Sequence, residues 1–125
     1  MSHEELCRQL FAGLQDNEPA IARAVCAEHM TAQQNGGPPM TLSELLAFND
    51  AVHRVVPDFH YEEAVCHPLA GGFVEEHKVL GTLPDGSPLA FHACIVGVVE
   101  AGQIVALREY VDSFAARGLL KALQA

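Results

Sequence analysis

Basic residues are scarce in this chain. Its 125 residues include 7 lysines and arginines against 16 aspartates and glutamates, a formal net charge of −9. No basic cluster offsets that balance, so nucleic-acid phosphates and anionic membrane surfaces are poor partners. Long hydrophobic runs are missing too. Half of the residues are apolar, yet no run approaches the ~20 residues that span a bilayer. The opening MSHEELCRQL is acidic where a secretory signal needs a basic region and an apolar core, which predicts a cytoplasmic protein. There is no CxxC pair. Cys7, Cys26, Cys66 and Cys94 are scattered and read as reduced, mostly buried thiols. Repeats, low-complexity tracts and interdomain linkers are absent, so residues 1–125 form one domain, long enough to bury a core without staples.

The seven histidines are a high count. Cys26 and His29 have a ligand-like spacing, and His53, His60 and His67 recur every seventh residue. Pro57 breaks any helix that would align those three, so no metal is expected. No cofactor is expected either.

The strongest local signal is the stretch from Phe73 to Ser113. FVEEHKVLGTL, AFHACIVGVVE and IVALREYVDS are rich in Val, Ile, Phe and Thr, as a pleated, partly buried surface prefers. Pro84, Asp85 and Gly86 form the first turn between them, and Ala101 with Gly102 the second. Three consecutive antiparallel strands follow. Phe59 to Cys66 reads as a further strand before them.

Upstream the chain is helical. Ser2 and Glu5 make a capping box before a stripe of Leu6, Leu10, Phe11 and Leu14. A second helix begins near Glu18-Pro19 and presents Ile21, Ala24, Val25 and, at its far end, Met30. Thr31 to Met40 holds too many breakers for regular structure. Thr41 and Glu44 cap a third helix that Pro57 stops, and Asp112 or Ser113 caps a short terminal one. Helices first and a long antiparallel sheet afterwards describe an α+β domain, with helices on one face of a strongly curved sheet and a cavity at its open end.

The order of elements, the phrase EEHKVLGTLPDGSPL, and GQIVALREYVDS after it resemble the NTF2-like superfamily, in particular its SnoaL-like members. The loop containing Asn35 and the VPDFHYE approach to the sheet fit the same resemblance. It spans nearly the whole chain and implies a cone-shaped NTF2-like/cystatin-like α+β barrel. The superfamily includes isomerases, polyketide cyclases, dehydratases, epoxide hydrolases and non-catalytic binding modules, so fold leaves function open. In limonene-1,2-epoxide hydrolase, an Arg-x-Asp on one strand and an Asp on the last strand form a charged triad. A Tyr-x-Asn before helix three helps hold the attacking water. Matched from the Leu-Pro turn, Glu109 falls on the last-strand Asp and Asn35 on the water-holding Asn. Gln33 stands at the Tyr. Glu76-x-Lys78 stands at the Arg-x-Asp with its signs exchanged.

That matched register puts Val74, Glu76, Lys78 and Leu80 on the pocket face, beside Phe91, Ala93 and Ile95, and Val105, Leu107, Glu109 and Val111. The expected catalytic set is Glu109, Glu76, Lys78 and Asn35, with Lys78 bridging the two carboxylates so that one acts as base and the other as acid. Gln33, Val74, Leu80, Phe91, Ala93, Leu107 and Val111 are the expected ligand contacts. His77, His92, Tyr110 and Asp112 share the opposite register, and a bulge would bring His77 inward. SnoaL-like cyclases resemble this second arrangement in using a His and an Asp in the sheet. Two functions stay open: a cofactor-independent acid–base enzyme acting on a hydrophobic, oxygen-bearing molecule, or a non-catalytic module for lipophilic ligands or dimerisation. A third possibility is that the protein has no ligand and side chains fill the cavity. His92, Cys94, Val96, Val98, Ile104 and Ala106 form an apolar sheet face that predicts a homodimer.

Overall fold

The computed structural model describes all residues, Met1–Ala125. Ser2 opens α1 (His3–Gln15) by accepting a hydrogen bond from Glu5 N. Leu6, Leu10, Phe11 and Leu14 are its buried stripe. Asn17, at φ +52°, turns the chain into α2 (Pro19–Val25), with Pro19 in the first turn where no intrahelical donor is lost. A reciprocal box between Thr41 and Glu44 starts α3 (Leu42–Val55), and Val56 ends it ahead of Pro57.

Four strands form the expected succession of antiparallel pairs: β3 (His60–Leu69), β4 (Gly72–Thr82), β5 (Pro88–Glu100) and β6 (Gln103–Val111). Ala101 (φ +51°) and Gly102 (φ +76°) make the two-residue turn between Glu100 and Gln103, both central residues left-handed as a right-twisted hairpin needs. Asp85 holds the β4–β5 turn by accepting from Ser87 N and Ser87 Oγ.

Two further strands replace the expected end of the second helix and parts of the breaker-rich region. β1 (Cys26–Gln34) pairs in parallel with β6, and β2 (Met40–Thr41) pairs with β1, giving the order β2-β1-β6-β5-β4-β3. Tertiary pairing outweighs local propensity here. CAEHMTAQQ has a weak strand pattern, but Met30 and Ala32 bury inward once β6 offers a partner. The second helix accordingly ends at Val25. The terminal helix α4 (Arg117–Leu123) also starts later than expected. Asp112 accepts from Phe114 N and Ala115 N in a turn ahead of it.

The helices gather on one face of the sheet. Leu6, Leu10, Val25, Met30, Phe73, Ile95 and Ile104 pack between α1, α2 and that face. Val52, Val56, Val79, Leu89, Phe91 and Leu119 form a second cluster beneath α3 and α4. Ile104 therefore does not belong to the outer sheet face. Val99 keeps the inward alternation of β5, and the register shift, which skips Val105 on β6, turns its partner Ile104 inward. No helix is long and apolar enough to cross a membrane.

Candidate active site

Between the two core clusters lies a cavity of about 200 Å³, with 17 hydrophobic residues among its 24 lining residues. Its polar groups come from few places. His77 on β4, Glu109 on β6, and Gln33, Gln34 and Asn35 at the end of β1 all reach it.

His77 and Glu75 are two residues apart on one strand, so both point to the helix-covered face. Glu75 is fully buried and His77 is 4% exposed. The His77 Nδ1 lies 2.6 Å from Glu75 Oε1. A carboxylate only accepts, so Nδ1 is the donor of this bond and Nε2 is the ring nitrogen it leaves unused. Tyr61 of β3 stacks on the imidazole at a centroid distance of 3.9 Å, and Phe11 of α1 lies tilted against it at 5.6 Å. The ring is thus fixed by a hydrogen bond and two aromatic neighbours. Glu75 Oε2 has no hydrogen-bond partner.

Glu109 accepts from Gln34 Nε2 at 2.6 Å. Burial raises its carboxyl above the ordinary carboxylate range, and the nearby charge of Glu75 pushes the same way. The Gln34 hydrogen bond and His77 oppose the shift. The cavity therefore holds one carboxylate-backed imidazole and one carboxyl that burial raises above its ordinary value.

No family model matches the sequence, and no curated protein matches it. Solved structures match over nearly the full length. A protein from Pseudomonas putida KT2440 assigned as a polyketide cyclase is 18% identical, with TM-score 0.78, covering 90% of this chain and 92% of its own. A protein from Jannaschia sp. CCS1 assigned as a SnoaL-like polyketide cyclase is 17% identical, with TM-score 0.78 and coverages of 98% and 92%. An NTF2-like protein from Burkholderia thailandensis E264 is 15% identical, with TM-score 0.79 and coverages of 100% and 99%.

The chain has the NTF2-like fold. Of the residues expected at the site, Glu109, Asn35, Gln33, Phe91, Leu107 and Val111 line the cavity. Ala93 is buried on the same face, in the core rather than in the lining. The expected β4 residues are on the wrong side. His77 pairs with Ala93 and Glu76 with Cys94, so Val74, Glu76, Lys78 and Leu80 occupy the outer face. Glu76 is exposed and bonds His67 at 3.0 Å, so Lys78 cannot bridge Glu76 to Glu109. The physical reason is the turn. The ladder closes at Thr82 and Pro88 around five residues, and a register one residue different turns every β4 side chain over.

His77 comes inward without a bulge in β4, but His92, Tyr110 and Asp112 do not accompany it. His92 and Asp112 are exposed, and Tyr110 is 48% exposed on the outer face. Asn35 lines the cavity with both amide ends already used. Its Nδ2 donates to Val111 O and its Oδ1 accepts from Val111 N. At φ +49° it clamps the end of β1 to β6 rather than holding a water. Gln33 donates to Gly37 O within its own loop.

Glu75, Gln34 and Tyr61 escaped the sequence reading. The Glu75-x-His77 spacing was a signal for the first, once the β4 register is set by the turn. Gln34 and Tyr61 carried none, because only the β1–β6 pairing and the β3–β4 pairing bring them in. The histidines His53, His60 and His67 do separate work, bonding Leu14 O, Asp58 O and Glu76.

The raised carboxyl of Glu109 has a measurable consequence. The folded protein holds this proton to higher pH than the unfolded chain does. Its contribution to stability is complete below the unfolded chain's carboxyl range and is lost as pH rises through the raised value. In urea titrations at about pH 5 and about pH 8, wild type should lose stability relative to Glu109→Gln on going to the higher pH. A constant difference between the two proteins would show that Glu109 is not raised.

Proposed function

We propose that the chain is a small enzyme that works by general acid–base catalysis, without cofactor, on a hydrophobic, oxygen-bearing molecule. Isomerisation, cyclisation or hydration of a polyketide- or terpenoid-like substrate suits the cavity. The observation that carries this reading is the convergence of the Glu75-backed His77 and of Glu109, whose carboxyl burial raises, on one apolar space. The two assignments as polyketide cyclase among proteins of the same fold support it.

The groups divide the chemistry between them. His77 Nε2 takes a proton from the carbon beside a carbonyl, and Glu75 stabilises the imidazolium that forms. Protonated Glu109 donates to the carbonyl oxygen as negative charge develops there, and Gln34 holds the carboxyl in place. Return of the proton to another carbon isomerises the substrate. Attack of the enolate carbon on a second carbonyl closes a ring. The apolar lining keeps water from competing for these protons.

A module that merely binds a lipophilic ligand would use the same cavity but has no use for a buried carboxylate–imidazole pair. A thermal-shift screen of lipophilic ketones, enones, epoxides and steroids separates the two readings. A ligand at a hundredfold excess over its dissociation constant stabilises the folded state by ~2.7 kcal/mol. Hits that wild type turns over, and that His77→Gln still binds but no longer turns over, are the expected result. Hits bound equally by both proteins, with no turnover in either, would make this a binding module.

A further inference from the structure

The Sγ atoms of Cys7 and Cys66 lie 2.7 Å apart, although the residues are 59 positions apart in sequence. Both are free thiols, and their sulfurs are in direct contact. Cys7 is fully buried on α1, among Leu6, Leu10 and Phe11. Cys66 is on β3, the edge strand, and partly exposed. A second cleft opens beside them between α1 and β3, lined by Glu4, Arg8, Cys66 and Glu75 among others. Cys26 and Cys94 have no such neighbour.

We propose that Cys7 and Cys66 form a redox site, closed to a disulfide by a small disulfide oxidant such as glutathione disulfide. It stands independently of the proposed activity. The exposed partner is the point of attack. Cys66 loses its proton to water, and its thiolate attacks one sulfur of glutathione disulfide. That breaks the glutathione S–S bond and releases one glutathione thiolate. The Cys7 thiolate then attacks Cys66 Sγ, forms the internal bond and expels the second glutathione thiolate. The two protons lost by the cysteines neutralise the two departing thiolates. Two protein thiols are oxidised, and one glutathione disulfide is reduced to two thiols.

Burial raises both thiols, Cys7 the more strongly, and the charge of Glu75 pushes the same way, while Arg8, paired with Glu4 at 2.8 Å, opposes the shift on both. Formation is therefore slow near neutrality and faster in mild alkali. The closed bond would fasten α1 to an edge strand otherwise tied to that helix's start by His3 Nδ1 on Leu69 O. It would lie beside Glu75, whose charge acts on both thiols. It would also hold fixed the helix that places Phe11 against His77.

The test is to incubate the native chain in mixtures of reduced and oxidised glutathione in mild alkali, quench in acid, and alkylate under denaturant. A monomer lacking two hydrogens, Cys7 and Cys66 joined in one peptide, and Cys26 and Cys94 alkylated are expected. Closing so long a loop should raise Tm by about 10 °C, reversibly with a dithiol reductant. Cys7→Ala should stop at one glutathione on Cys66 with no rise in Tm. Four alkylated cysteines in the oxidising mixture, a different pairing, or an unresolved adduct on wild-type Cys66 would overturn the proposal. So would a Tm rise that persists in Cys7→Ala.

Discussion

Glu75→Gln should cut turnover by about 10³–10⁴ while leaving ligand binding in place, by analogy with the loss of the carboxylate in a Ser-His-Asp triad. The substituted amide still fits the space. It can accept from His77 Nδ1 through its oxygen, but then no negative charge stabilises the imidazolium. It can instead donate its NH2 to Nδ1, which moves the ring proton to Nε2 and removes the base. Either orientation is unproductive. Glu75 is not among the residues that line the main cavity, so a bound ligand does not touch it. The loss should therefore appear in kcat, with KM nearly unchanged. Stability should not fall in step. Glu75 is fully buried and its Oε2 has no partner, so an uncharged amide removes a desolvated charge that the fold tolerates at a cost. Steady-state kinetics on the first substrate found, with Tm measured on the same samples, decides the matter. A fall in kcat below tenfold would remove Glu75 and His77 from the chemistry. A collapse in Tm would make their role structural.

The parts of this molecule that sequence reveals are those set by neighbours along the chain. The capping residues Ser2 and Thr41, the turns at Asp85 and Ala101-Gly102, and the β4–β6 succession all depend on contacts a few residues apart. Glu109 and Leu107 are legible because strand alternation and the resemblance agree on β6. The face of β4 was not legible from composition, since EEHK places charge on both faces of the strand. Only the pairing of Thr82 with Pro88 decides that Glu75 and His77 go inside while Glu76 and Lys78 stay out. Burying Glu75 contradicts the usual exposure of carboxylates, and the compensation is specific, an imidazole two residues away. β1 was hidden for a different reason. Its partner β6 is some seventy residues later, and a parallel pairing of that kind leaves little local trace.

Gly97→Ala should cost about 3 kcal/mol and lower Tm by ~10 °C. Gly97 on β5 faces Phe73 on β4 directly across the ladder. The Phe73 ring lies over the glycine, and a Cβ built there falls within the space of the ring's Cζ, Cε1 and Cε2 atoms. The requirement is for space, since the backbone of Gly97 is ordinary strand. Phe73 has nowhere to withdraw. It is fully buried and meets Phe11 edge-on at 6.4 Å and 89°, and Phe11 in turn borders His77. Displacing the ring would therefore press on the imidazole's aromatic wall as well as strain the ladder. A double-mutant cycle isolates the cause. Phe73→Leu alone leaves a cavity and should destabilise, but combined with Gly97→Ala the smaller side chain makes room for the new methyl. The double variant should be more stable than the sum of the two single losses predicts, by 1 kcal/mol or more on the scale of contacting pairs, roughly. Urea unfolding of the four proteins gives the coupling directly. Additive losses, or a Gly97→Ala variant within about 0.5 kcal/mol of wild type, would mean that the Phe73 ring does not rest on Gly97 in solution.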